Sequence, residues 1–166
     1  MCSSDLVRAA LGDGPFPARN PDRNIADLRA QIASCMKGAA ELAALCAQKT
    51  RAVVDAYMAH VQDNAEEQVR QVISAIDSGI YEHQMDNGAV IRARVTVDHA
   101  TRSATVDFTG TSAQQASNFN APRSVTTASV LYVFRCLVGT DIPLNAGCLR
   151  PLRIIVPDGC MLSPAW

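Results

Sequence analysis

Apolar residues recur at alternating spacings of three and four in the first third of the chain: Ile25, Leu28, Ile32, Cys35, Ala39, Leu42 and Cys46. This is the stripe of a helix packed along one side, and it predicts a helix over residues 24–49. Asn24 is placed to cap it, with Asp27 in the electropositive first turn and Pro21 upstream, where it keeps the helix from extending backwards. A second stripe follows in Val54, Met58, Val61, Ala65, Val69, Val72 and Ile76. Lys49-Thr50 is the one boundary signal between the two, with Thr50 a possible N-cap, and Gly79 is a natural stop for the second helix. Two long helices with a tight joint suggest an antiparallel helical hairpin.

From Gly79 the period changes to two. IYEHQ, AVIRARVTVDH and SATVDF read as strands, separated by MDNG and DHATRS. In the middle strand Val90, Arg92, Arg94 and Thr96 lie on one face, and Ile91, Ala93, Val95 and Val97 on the other. One packed face and one largely polar face is the pattern of an antiparallel sheet. Asn87-Gly88 predicts a two-residue hairpin turn, and Thr101-Arg102 the tip of a second hairpin. Arg123 to Leu137 is apolar almost all round and too long for one strand, so it predicts a buried helix ended by Gly139. RIIV, before the turn PDG, is a candidate buried strand. The fold class is therefore α+β: a long antiparallel helical hairpin, then a mainly antiparallel sheet and a buried helix. Residues 1–15 suit neither cap nor core and read as a disordered or artefactual leader; the chain stops at SPAW without a final helix, so 16–166 reads as a partial domain.

The bulk numbers narrow the class of partner. The chain has 166 residues, 48% hydrophobic, with a formal net charge of -1. A chain of this length buries roughly 70% of its unfolded surface. Near-neutral charge argues against nucleic acid or an anionic membrane, both of which select a basic patch. No apolar run approaches the ~20 residues of a membrane span, and no signal peptide is visible. Six cysteines (Cys2, Cys35, Cys46, Cys136, Cys148 and Cys160) form no CxxC pair. Reduced, structural thiols fit a cytoplasmic protein. His60, His83 and His99 are too scattered to predict a metal site.

Two polar clusters are candidates for chemistry. Asp107 closes a strand and leads into Thr109-Gly110-Thr111-Ser112, a turn able to present N–H groups to an anion and hydroxyls to an amide or carboxylate. Asn118 and Asn120 add donors and acceptors. The same residue types also bond their own backbone in ordinary turns, and on composition alone the turn is favoured. The second cluster is Asn145, Gly147, Cys148 and Arg150. Cys148 reads as a nucleophile or as a packed thiol; Arg150 could depress its pKa or bind a carboxylate. No Walker loop, GxSxG elbow, HExxH pair or GxGxxG turn occurs.

NPDRNIADLRAQIAS, AEEQVRQVI, IYEHQMDNG, VDFTGTSAQ, NFNAPRSVTTASVLYVFR, DIPLNAGCLRPLRIIVPDG and the closing LSP resemble, in order, the hydantoinase B / 5-oxoprolinase family. The resemblance covers roughly residues 16–166, a segment of a longer B-type subunit or domain. It implies ATP-dependent opening of a cyclic amide, 5-oxoproline or a hydantoin, with ATP and Mg2+ bound by an A-type partner and not by this chain. The partner would be a separate subunit or a fused domain, giving a hetero-oligomer or a homodimer of a fused chain. On that reading Asp107 is a candidate base or orienting acid. Thr109, Gly110, Thr111, Asn118, Asn120, Asn145 and Arg150 are candidates for holding the substrate, no metal ligand is assigned, and the fragment alone is expected to be inactive. Two alternatives stand beside it: a scaffold that docks the A-type ATPase, and part of a related ATP-dependent ketone carboxylase. The sequence departs from the family pattern at Lys49-Thr50, where a Gly is usual, and at Ala113, where a Pro commonly follows TGTS.

Overall fold

The computed structural model describes residues 3–14, 17–139 and 142–165. Cys2 and Asp141 of the DIPLNAG motif lie outside them. The chain divides into two compact units, Met1–Ala56 and Tyr57–Trp166.

The first unit is helical. Residues Ser3–Gly12, expected to be a disordered leader, form helix α1, which packs against α2, Pro21–Lys49. The start of α2 is earlier than the apolar stripe indicates. Its N-cap is Asn20, not Asn24: the Asn20 side chain accepts a hydrogen bond from the Arg23 N–H at 3.1 Å. Pro21 begins the helix instead of blocking it, because proline's fixed φ suits the first helical position and its missing N–H would have no partner there. The α2 stripe has the helical period, but only Ile25 is buried; Leu28, Ile32 and Leu42 are exposed. Thr50, at φ 70, breaks the chain between α2 and α3, Arg51–Ala75. A left-handed φ there is the conformation that a glycine adopts without cost.

In the second unit α3 contributes Ala65, Val69 and Ile73, all fully buried. They pack on a four-stranded sheet of order β1-β2-β3-β4, with β1 Gly79–Gln84, β2 Val90–Asp98, β3 Ser103–Asp107 and β4 Leu152–Ile155. The first three strands are antiparallel and β4 lies parallel to β3, so the sheet is mixed and mainly antiparallel. The β1–β2 loop differs from the expected two-residue turn. Met85 N–H donates to Ala89 C=O, which leaves Asp86, Asn87 and Gly88 in the loop, and Gly88 takes φ +82. This is the hairpin built on a type I turn followed by a left-handed residue.

Helix α4, Arg123–Leu137, shows one buried face, Thr126, Val130 and Phe134, rather than the all-round burial its composition suggested. Val125, Tyr132, Val133 and Leu137 are exposed. The core joins α3, α4 and the apolar face of the sheet, with Ala104, Val106 and Cys148 inside it. A satellite cluster forms around Ala89, Val156, Met161 and Leu162. The five described cysteines are free thiols; Cys148 and Cys160 are buried as packed thiols, whereas Cys35 and Cys136 are exposed and Cys46 is half-buried.

Glu66 of α3 sits between Arg70 and Arg150. The hydrogen bond from Arg70, and then that from Arg150, holds its carboxyl below the ordinary value of 4.5. A depressed folded-state pKa adds stability that is present above the unfolded value and lost as pH falls through the folded one. Glu66→Gln should therefore lower the melting temperature at pH 6 and shrink the further drop seen below pH ~4.5. Thermal melts across that range check it; an unchanged acid limb in the variant would contradict the linkage.

Candidate functional site

The turn after β3 is built from its first residue. Asp107 Oδ1 accepts from the Thr109 N–H at 2.8 Å, and the Thr111 N–H donates to Phe108 C=O at 3.1 Å. Gly110, at φ +97, occupies the third position of the resulting β-turn, where a left-handed residue is required. A Cβ on Gly110 would also lie 2.9 Å from Arg92 Cδ, so the turn rests directly on the Arg92 side chain.

The next two residues continue the sheet with their side chains. Thr111 Oγ1 accepts from the Arg92 N–H at 3.1 Å and donates to Arg92 C=O at 3.2 Å. Ser112 Oγ accepts from the Val90 N–H at 2.9 Å, and the Ser112 N–H donates to Val90 C=O. The backbone of β2 beyond the end of β3 is thus satisfied partly by hydroxyls. Asn120 is spent similarly: its Oδ1 accepts from the Gln115 N–H and its Nδ2 donates to the carbonyls of Gln115 and Ser117. Gln114, the residue kept after the Ala113 departure, ties the loop to Ala165 through two hydrogen bonds. Asn118 is exposed and makes no hydrogen bond among the described residues.

Asp107 stays ionised. The Thr109 hydroxyl and N–H, followed by the charges of Arg94 and Arg92, hold its carboxyl below the ordinary 3.8. A carboxylate so stabilised is a weak base at neutral pH and a good fixed negative charge. Arg92 reaches Glu82 on β1 at 3.2 Å. Because β2 alternates, Arg92 and Arg94 share the sheet face with Asp107, away from Ala104 and Val106 of the core. The sequence pattern exposed this face without marking it as part of a site. Its arginines become neighbours of Asp107 only through the β2–β3 register.

The second cluster lies elsewhere, on α3. Asn145 Oδ1 accepts from the Gly147 N–H at 2.8 Å, capping the short helix Ala146–Leu149, and its Nδ2 donates to Val61 C=O. Arg150 donates to Asp63, Glu66 and Gln62 of α3. Cys148 is fully buried in the core, the position of a packed thiol. Asn145 and Arg150 are thus separated from Asp107: they lie on the α3 side of the sheet, beside the start of β4, and Asp107 ends β3 on the opposite face.

His60 stacks edge-on against Tyr57 at 6.3 Å, and His83 and His99 are exposed. Among the described residues no group of three His, Cys, Asp or Glu side chains is placed to hold a metal ion. No helix among them is long and apolar enough to cross a membrane.

These features can be set beside known proteins. The chain is 42% identical over 171 residues to the 5-oxoprolinase PfmaA of Pestalotiopsis fici, an alignment covering 97% of this chain and 13% of that protein. It is 40% identical over 158 residues to 5-oxoprolinase 1 of Arabidopsis thaliana, covering 86% of this chain and 12% of that one. The fold matches the crystal structure of an ATP-dependent caprolactamase from Pseudomonas jessenii with a TM-score of 0.70 and 20% identity, over 98% of this chain and 28% of that chain. The chain thus spans a small part of each of these relatives. The match to the Hydantoinase B/oxoprolinase family runs over residues 3–166, taking in α1, both long helices, the whole sheet and the turn after Asp107, and the chain belongs to that family.

Proposed function

We propose that this chain is a segment of an ATP-dependent enzyme that opens cyclic amides, and that the turn Asp107–Thr111 and the polar sheet face beside it border the substrate cavity. The observation that carries the reading is the run of 5-oxoprolinases at 37–42% identity across most of the chain. The local chemistry agrees with it. A lactam carbonyl is a poor electrophile, and water adds to its carbon once the oxygen has been activated. An ionised carboxylate beside that carbon orients the water and stabilises the positive charge that builds on it. Asp107 has the required charge, Thr109 and Gly110 leave exposed backbone near it, and Asn118 has unused donors and acceptors. Thr111 and Asn120 support that loop from within, and Asn145 and Arg150 hold the 142–150 segment to α3 instead.

The ATP and Mg2+ of the reaction would be bound by an A-type ATPase, separate or fused. Asp107→Asn in the longer polypeptide carrying this segment should reduce ATP-dependent ring opening about 100-fold, the scale of losing one preorganised electrostatic contact to the reacting atoms. Assembly with the ATPase should be retained. Full turnover in the Asp107→Asn enzyme would rule Asp107 out. The exposed α2 stripe, with Leu28, Ile32 and Leu42, favours a second role: an apolar docking face for the rest of the assembly.

A further inference from the structure

We propose that the free edge of β1 is a strand-addition site, and that its occupant is an extended segment of the longer polypeptide carrying this chain. Of the reading above this takes only that the chain is part of something longer; ring opening is not involved. β1 has one neighbour in the sheet, β2, and all six of its residues are exposed. None of them joins either core cluster. β4, at the other edge, is half-buried along most of its length.

The register decides which backbone groups are free. The Met85 N–H donates to the Ala89 carbonyl, which fixes the alternation of the β1–β2 ladder. His83, Tyr81 and Gly79 then bond to β2, opposite Ile91, Ala93 and Val95. Side-chain bonds along β2 agree. The Val90 and Arg92 N–H groups turn the other way, to the hydroxyls of Ser112 and Thr111, whereas the Val97 N–H reaches Ser78 Oγ on the β1 side. Ile80, Glu82 and Gln84 therefore point their N–H and C=O groups outward, with no partner among the described residues. Natural sheets blunt such an edge with lysine, proline, a bulge or a very short strand. β1 has none of these: GIYEHQ runs in unbroken register, and its one acid, Glu82, is drawn to Arg92 on the neighbouring strand. An unguarded edge of ordinary length suits β-augmentation, in which main-chain bonds supply affinity and alternate side chains supply selectivity.

Charge and length separate the two possible occupants. A second copy pairing antiparallel over residues 80–84 sets Glu82 directly opposite its symmetry mate, and like charges so placed are destabilising. The 5-oxoprolinases aligned above extend far beyond this chain, which spans 13% and 12% of them, so most of such a polypeptide is available to supply a strand. The segment that fits has a polar or basic residue opposite Glu82. Beside Tyr81 it has an apolar one, because that ring stands exposed on the sheet face that carries Val95 and Val97.

Hydrogen–deuterium exchange, read residue by residue by mass spectrometry with electron-transfer fragmentation, tests this in the 166-residue chain and in the longer polypeptide. In the chain alone Tyr81 and His83 should be protected, and Ile80, Glu82 and Gln84 should exchange freely. In the longer polypeptide those three amides should slow by about 100-fold or more, the change from an open amide to one in a stable ladder. Glu82→Pro removes an outward N–H and leaves the bonds to β2 in place. It should barely move the melting temperature of the 166-residue chain, and return Ile80 and Gln84 of the longer polypeptide to fast exchange. Unchanged exchange of the three amides between the two unsubstituted proteins would overturn the proposal, whether or not the variant folds. So would slowing that survives Glu82→Pro, which is burial without pairing. Slowing in the 166-residue chain that grows with its concentration would overturn it too, by placing a second copy on the edge. None of these readouts involves turnover, so failure of the ring-opening reading leaves them unaffected.

Discussion

Gly147→Ala should destabilise the second unit by about 3 kcal/mol or more, a loss in the upper range for a single substitution. The reason is a backbone contact. A Cβ at position 147 would lie 2.1 Å from the Gln62 carbonyl oxygen and 2.7 Å from its carbon. Both belong to the main chain of α3, and a helix carbonyl cannot retreat without giving up its own hydrogen bond. The 145–150 segment must lift instead. In doing so it withdraws Cys148 from the core, parts Asn145 from Val61 and separates Arg150 from Asp63 and Glu66. The free energy at stake is a large share of the roughly 5–15 kcal/mol that holds a domain folded. The melting temperature should fall by on the order of 10 °C. Gly79→Ala is the control, since a Cβ there meets nothing within 4 Å. Equal melting temperatures for the two variants would show that the segment does not rest on α3.

That contact was not readable from the chain, and the reason applies to most of what the sequence left open. Local signals were legible. The helix break at Lys49-Thr50, the strands on either side of the hairpins and the α4 boundaries all depend on neighbours within a turn or two, and they appear where the residue pattern placed them. The N-cap was misplaced because the apolar stripe begins at Ile25, one turn inside a helix whose first turn is polar. Long-range pairings carry no local signature. β4 joins β3 in parallel across more than forty residues, and only that pairing puts Arg153 on the face with Asp107. The candidate loop was ambiguous for a different reason. Thr111, Ser112 and Asn120 have the side chains of a binding site and use them on the backbone, so residue type marks the loop without telling its hydrogen-bond partners.

Helix α4 carries the second large effect. Its sequence is apolar almost all round, so either face could have been the core. The structure selects Thr126, Val130 and Phe134, spaced by four, with Val138 continuing the row. Phe134 is 4% exposed and belongs to the cluster with Val69, Ile73, Val106 and Val130. Phe134→Ala removes a buried ring and leaves a cavity that the sheet and α3 cannot collapse to fill, at a cost of about 3–5 kcal/mol. Tyr132 is 69% exposed, and Tyr132→Ala should stay within about 0.5 kcal/mol. Chemical denaturation of both variants makes the comparison, with unchanged m-values confirming that the same surface unfolds. The reverse order of effects would mean that α4 is turned by about half a revolution from the orientation described. Thr126 allows a check that does not depend on cavity size, because its hydroxyl donates to the buried Leu162 carbonyl at 3.0 Å. Thr126→Val keeps the shape and leaves that carbonyl unpaired, a loss of about 1–3 kcal/mol that only the described face of α4 would incur.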